Sequence, residues 1–378
     1  MVSLDSMVNI AFPSIATTFR LEPEEVRWII VCYVLTYAVM AFVGGAAADR
    51  VGHGVVFRAG LGLTAVGFLL AGTAGSFGWL LLGRVIQGFA GGLVYGTAPG
   101  LTTLAVPPPA RARALGVLGG AIALAFAAGP LAAGLLVEAF GWRAVFHVRV
   151  PLALAVLAWA LALRPPDVPG GATRRVTLAD ITRRPVLTAS GLSFVANAGI
   201  FAVWLLGPFY LVGTRGLDAK TGGALFMLTP LGTAVAAPLA GRIADRIGPR
   251  LPQAVGLALE AAGLAALSRA GATTPVTLLA LGLLAAGFGL GLFQVPNMAG
   301  VMAAFPAGQQ GAAGGLTFLA RTLGIVAGVA TLSTVFAHRR DRVGVDAAFA
   351  DSFLLAAAIV AAAAAVALSR TATPPRGP

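Results

Sequence analysis

Apolar residues run along this chain in blocks of membrane-spanning length, broken by short stretches rich in arginine, proline and glycine. A helix needs about 20 apolar residues to cross the hydrocarbon core of a bilayer. With that ruler, spans fall near 2–18, 26–47, 56–75, 78–104, 114–138 and 144–163. A second set falls near 187–212, 221–241, 252–268, 275–301, 311–335 and 350–369, twelve in all. The longest polar break, Arg164 to Arg184, contains Pro165, Pro166, Pro169, Gly170 and Gly171. The pattern predicts an all-α membrane protein of two pseudo-symmetric six-helix bundles. An N-terminal bundle over 1–163 is joined by a cytoplasmic linker over 164–186 to a C-terminal bundle over 187–370, with a tail over 371–378. The first span is short: Asp5 stands almost at the chain start, and Glu22, Glu24 and Glu25 follow soon after. That spacing predicts a truncated first helix.

Composition agrees with a bilayer as solvent. Hydrophobic residues make up 58% of the 378 and charged residues 11%, against roughly a quarter charged in soluble domains. So much apolar surface does not fit in one aqueous core of this length. The net charge of +12 could attract nucleic acid. However, the arginines lie in the breaks between apolar runs and not on one amphipathic face, so no nucleic-acid partner is expected. Their placement sets orientation instead. With both termini in the cytoplasm, the inner segments and tail hold Arg50, Arg58, Arg111, Arg113, Arg164, Arg174, Arg175, Arg183, Arg184, Arg242, Arg246, Arg250, Arg370 and Arg376, while Arg339, Arg340 and Arg342 fall outside. Cys32 is the single cysteine, which excludes an internal disulfide or zinc cluster. Met1 opens into an apolar segment without a basic flank, so no cleavable signal peptide is read. The scarcity of lysine, with Lys220 alone, fits a GC-rich bacterial genome.

An internal repeat sharpens the architecture. After span two the chain reads Gly45-Ala-Ala-Ala-Asp49-Arg50-Val-Gly52, and after span eight Gly241-Arg-Ile-Ala-Asp245-Arg246-Ile-Gly248. Both are G-x-x-A-D-R-x-G at equivalent places, as expected of parallel repeats in carriers. Read as loops, these segments suit a cytoplasmic gate. Gly45 permits close helix approach, Gly52 a tight turn, and Asp49 a bond to a helix N-terminus or an arginine.

At this point the chain resembles the major facilitator superfamily, and within it the drug/proton antiporter branch of QacA/EmrB-like exporters. Leu4-Asp5-Ser-Met-Val8-Asn9-Ile-Ala-Phe-Pro13 is similar to the first-helix signature of that branch, and Trp28 and Tyr33 to its second helix. Leu82-Gly83-Arg84-Val-Ile-Gln87-Gly88 resembles the fourth-helix motif, and Gly129-Pro130 with Gly134 the helix-five antiporter signature. Gly311 through Arg321 and Gly324 resemble the eleventh helix. The chain departs from the branch in several places. It lacks two extra central helices, has His53 and Gly54 in place of a basic pair, carries Ala125 and Ala133 in place of glycines, and sets Arg149 before Val150-Pro151 where a smaller polar residue is usual.

The resemblance implies secondary active transport by alternating access, namely proton-coupled efflux of drugs or amphipathic metabolites from the bacterial inner membrane. It implies no cofactor beyond the proton gradient and a monomer embedded in lipid, with protons and a small molecule as partners. Ionisable groups inside a bilayer are functional candidates. Asp5 with Arg84 is the expected proton-coupling pair, because the protonation of a carboxylate responds to cavity hydration and to the distance of an arginine. Gly129, Pro130 and Gly134 should bend helix five. Substrate would meet Asn9, Gln87, Tyr95, Asn197, Phe201, Trp204, Gln294 and Asn297, since aromatics with a few amides suit lipophilic molecules. Glu260 and Arg321 are further buried charges without an assigned role. The alternatives are a metabolite importer or uniporter on the same fold and a non-transporting sensor or membrane enzyme. No Walker-type loop, metal cluster or catalytic triad supports the enzyme reading.

Overall fold

The computed structural model describes residues 5–22, 24–105, 111–163, 181–271, 274–305 and 310–369, and among these the regular structure is helical. The first half comprises α1 (Met7–Ile10), α2 (Phe12–Phe19), α3 (Arg27–Val51), α4 (His53–Gly72), α5 (Phe77–Leu104), α6 (Arg111–Phe140), α7 (Ala144–His147) and α8 (Arg149–Leu163). The second comprises α9 (Arg184–Pro208) with a π-helical extension (Phe209–Thr214), α10 (Ala219–Phe226), α11 (Leu228–Ile247), α12 (Arg250–Ser268), α13 (Val276–Ala303), α14 (Gln310–Val343) and α15 (Val345–Ser369). Among the described residues, the expected spans lie mainly on helical backbone, and the first, 2–18, corresponds to two short helices, α1 and α2. Among the described residues, nine helical segments are long and apolar enough to cross a membrane, and Arg27–Ala41 and Leu124–Phe140 are shorter apolar stretches. Large apolar side chains such as Leu124, Trp159 and Leu281 stand exposed, as lipid-facing residues do. The expected linker and tail lie largely outside the described residues.

Helix ends depart from the sequence reading in instructive ways. The G-x-x-A-D-R-x-G segments are not loops. The backbone stays helical through Val51 and through Ile247, and only the closing glycines leave it, with φ of 99° at Gly52 and 83° at Gly248. Polarity alone made two helix ends resemble turns. The stretch carrying Arg339, Arg340 and Arg342 is also helical, because α14 runs on to Val343 and Arg339 pairs with Asp351 of α15 at 2.5 Å. Ser76 caps α5 by accepting from the Trp79 amide, and Asp218 caps α10 by accepting from the Thr221 amide.

The chain gathers into two compact units. One comprises Met1–Arg174, Trp204–Met227 and Val329–Thr334, and the other Arg175–Val203, Leu228–Gly328 and Val335–Pro378. In the first, α5 packs on α3 and α4, α8 on α4, and α6 on α1 and α10. A Cβ at Gly88 would strike the Tyr33 carbonyl, and one at Gly92 would strike Met40 and Ala41, so glycine sets how closely α5 approaches α3. In the second, α12 packs on α13 and α15, and α11 on α13. The α12–α13 seam is glycine-lined on both sides. Gly256 and Gly263 of α12 abut Phe293 and Ala286, while Gly289 of α13 abuts the backbone of Glu260. Hydroxyls inside the helices donate to carbonyls one turn back, Thr64 to Gly60 and Ser352 to Ala348, so they need no water.

Candidate functional site

The charged centre of the first unit forms at the start of α1. Asp5 lies in the turn ahead of that helix, and Arg84 reaches it from α5. The guanidinium grips the carboxylate with both ends: Nη1 donates to Oδ1 at 2.7 Å and Nη2 to Oδ2 at 2.8 Å. This bidentate form is the strong, orientation-fixing one. Arg84 makes two further bonds, Nε to the Ile29 carbonyl at 3.1 Å and Nη1 to Gln87 Oε1 at 2.6 Å. Gln87 passes the connection on, donating to the Gly67 carbonyl of α4 at 2.9 Å. Its helical spacing of three from Arg84 makes this possible. Gln87 was expected in the substrate cavity, and the structure places it in the scaffold of the ion pair.

Sequence reasoning missed a third member. Arg149, at the start of α8, donates from Nη2 to Asp5 Oδ1 at 3.2 Å, and its guanidinium lies 4.1 Å from the Phe68 ring centroid. Its Nε and Nη1 are buried without a hydrogen-bond partner. The available signal was the arginine standing ahead of Val150-Pro151 where a small residue is usual. The cluster therefore holds one carboxylate between two guanidinium groups, with side-chain exposures of 17% for Asp5, 2% for Arg84 and 1% for Arg149. It carries a surplus positive charge in an apolar setting, and proton uptake by Asp5 would unpair both arginines at once.

An aromatic run leads away from this centre. Arg84 sits 4.2 Å from the Tyr33 ring centroid, Tyr33 stacks on Tyr37 at 5.9 Å, and Tyr37 meets Tyr95 edge-on at 5.4 Å. Tyr95 was an expected cavity residue; Tyr37, on α3 one turn beyond Tyr33, was not. Asn9 is half-buried on α1.

The proline in α6 has a specific partner. Pro130 lacks the amide that would have bonded the Phe126 carbonyl four residues earlier. The Ser6 hydroxyl donates to that carbonyl at 2.8 Å. Gly129 faces Ser6 so closely that a Cβ there would collide with its hydroxyl, and Gly134 and Gly223 bring α10 against Pro130 in the same way. The predicted Gly129, Pro130 and Gly134 thus form the contact surface of α6 for α1 and α10.

The remaining candidates separate. Gln294 donates to Asn197 at 3.4 Å, and Asn197 donates to the Ser193 carbonyl at 2.8 Å. Asn297 donates to the Ala189 carbonyl at 3.0 Å, leaving its own side-chain oxygen buried and unpartnered. Phe201 and Arg321 are half-buried. Trp204 packs on Phe126 and edge-on to Phe226, both at 4.9 Å. Of the repeated motif, Gly241 meets only ordinary contact with Val295, and Arg246 is exposed. The surroundings of Gly45 and the side chains of Asp49, Arg50 and Asp245 lie outside what is described.

Comparison with known proteins places these features. The family model described as Major Facilitator Superfamily matches residues 2–329. The tetracenomycin C resistance and export protein of Streptomyces glaucescens is 30% identical over 90% of this chain and 74% of its own length. The riboflavin transporter RibZ of Clostridioides difficile (strain 630) is 24% identical over 89% and 86%. A crystal structure of the nucleoside transporter NupG has the same fold, with a TM-score of 0.78 at 13% identity over 97% of this chain and 98% of that one. The chain belongs to the Major Facilitator Superfamily and is a multi-pass membrane transporter, not an enzyme.

Proposed function

We propose that this transporter is a proton-coupled exporter of drugs or amphipathic metabolites, working by alternating access in the bacterial inner membrane as a monomer with both termini in the cytoplasm. The observation that carries this reading is Asp5 held in bidentate fashion by the buried Arg84 and touched by the buried Arg149. A proton arriving at Asp5 competes with two cations for the same oxygens, so proton occupancy and arginine placement are thermodynamically linked. Similarity to a tetracenomycin export protein supports the direction and the substrate class. The aromatic run from Tyr33 to Tyr95 suits flat lipophilic molecules.

Inverted vesicles with an acidic interior, supplied with ethidium as a probe, test the reading. We expect accumulation that collapses with the gradient and is lost in Asp5→Asn. Uptake that ignores the gradient and survives in Asp5→Asn would support the alternative, a metabolite importer or uniporter. The observation favouring that alternative is similarity to a riboflavin transporter. A growth-inhibition panel in an efflux-deficient host would then narrow the substrate.

A further inference from the structure

The second unit buries a carboxyl that the mechanism above does not use. Glu260 lies in the middle of α12 with no exposed surface, and both carboxyl oxygens are buried without a hydrogen-bond partner. The space it occupies is created by small residues. Its Oε1 would lie 3.6 Å from a Cβ at Gly199 of α9, a position that packs most closely on Val360 of α15. Gly289 of α13 lies against the Glu260 backbone. Three helices thus close around one acid.

Among the described residues, no cation answers it. Helix α13, which packs along α12, has no ionisable residue from Val276 to Ala303. On α15 the charged residues are Asp346 and Asp351, and Asp351, the nearer to Val360 along the helix, is roughly 14 Å away by helical rise and pairs with Arg339. Arg184 of α9 lies roughly 22 Å along its helix from Gly199, and Arg250 of α12 itself roughly 15 Å from Glu260. The charges of α11, Arg242, Asp245 and Arg246, sit in its last two turns, next in sequence to Arg250. Arg321 of α14 is roughly 10 Å along that helix from Gly328, which abuts Ala198 of α9.

An ionised carboxylate in such a place costs several kcal/mol without a counter-charge, and a neutral acid costs far less. The closed packing therefore accepts only the neutral form, while the charged form needs water or an opening of the α9, α13 and α15 faces. We propose that Glu260 is a second proton-binding site, holding a proton while these helices are closed and exchanging it when they part. The ligand is the proton itself. The proposal depends neither on Asp5 nor on the direction of transport.

Infrared difference spectra of the full chain in liposomes, wild type against Glu260→Gln, test it. The amide has the shape of the neutral acid, so the variant should fold. We expect a protonated-carboxyl stretch in the wild type at neutral pH that is missing from Glu260→Gln. That band should disappear reversibly as pH is raised. Ionised-carboxylate bands at neutral pH in its place would overturn the proposal, as would a band that never titrates while the protein stays folded. If Glu260→Gln does not fold, carbodiimide labelling of the wild type, mapped by mass spectrometry, gives the same answer. Modification of Glu260 at neutral pH and its loss at alkaline pH support the site. Labelling of other carboxyls with Glu260 spared refutes it.

Discussion

Arg84 and Arg149 touch the same carboxylate yet stand in opposite energetic positions. Arg84 spends Nε, Nη1 and Nη2 on partners, whereas Arg149 leaves Nε and Nη1 buried and unanswered. A buried charge with unmet donors costs desolvation that its single 3.2 Å bond returns only in part. Arg149→Met should therefore leave the unfolding temperature in detergent unchanged or raised. Arg84→Met removes both ends of the bidentate grip and strands Gln87, so it should cost about 3 kcal/mol. Equal losses in the two variants would show that Arg149 is better satisfied than its geometry indicates. The Asp5–Arg84 pairing was legible in the sequence, because an acid and an arginine buried in apolar spans of the same half gain by pairing. Arg149 was not, since the sequence marks it only as a departure ahead of Val150-Pro151 and ties it to no acid. Its burial is decided by the position of α8 against α4, which no local pattern encodes.

At the level of elements, α6 illustrates how a broken hydrogen-bond ladder is repaired from a neighbour. The Phe126 carbonyl loses its natural partner to Pro130 and regains one from Ser6 on the turn before α1. In the wild type, Ser6→Ala should cost about 1 kcal/mol. In a Pro130→Ala background the restored amide of residue 130 takes over, and the same substitution should cost close to nothing. A double-mutant cycle by thermal or denaturant unfolding reads the difference, and additive effects would disprove the repair. Boundaries of this kind explain what sequence reading captured. The twelve spans were visible because bilayer thickness imposes a length on apolar runs. The Asp49 and Asp245 segments were misread as loops because helix ends at a membrane surface and true loops share the same polar composition. Only the positive φ of Gly52 and Gly248 marks the actual stop.

For the whole molecule, the distribution of arginine predicts which ends face the cytoplasm, and thiol chemistry can read it. Cys32 is the single cysteine, so Cys32→Ser gives a clean background. Lys220 and Arg250 are exposed and lie at the starts of α10 and α12. A cysteine at Lys220 should react with a membrane-impermeant maleimide added to intact cells, and one at Arg250 only after the membrane is opened. The reverse pattern would invert the topology. That α9 and α14 each contribute to both compact units was not legible, since the sequence divides the chain at a single linker over 164–186. Hydropathy counts spans and says nothing about which spans share a core.

The Asp5 cluster also has an electrical consequence. With the carboxylate ionised it carries a net charge of one, and with a proton bound a net charge of two. A transmembrane voltage acts on such a difference with about 2.3 kcal/mol per elementary charge for each 100 mV. Exchange of one proton for a neutral molecule moves charge and should generate a current in capacitive recordings. Exchange of one proton for a monovalent cation should be silent. The current produced by each compound therefore reports the charge of the cargo.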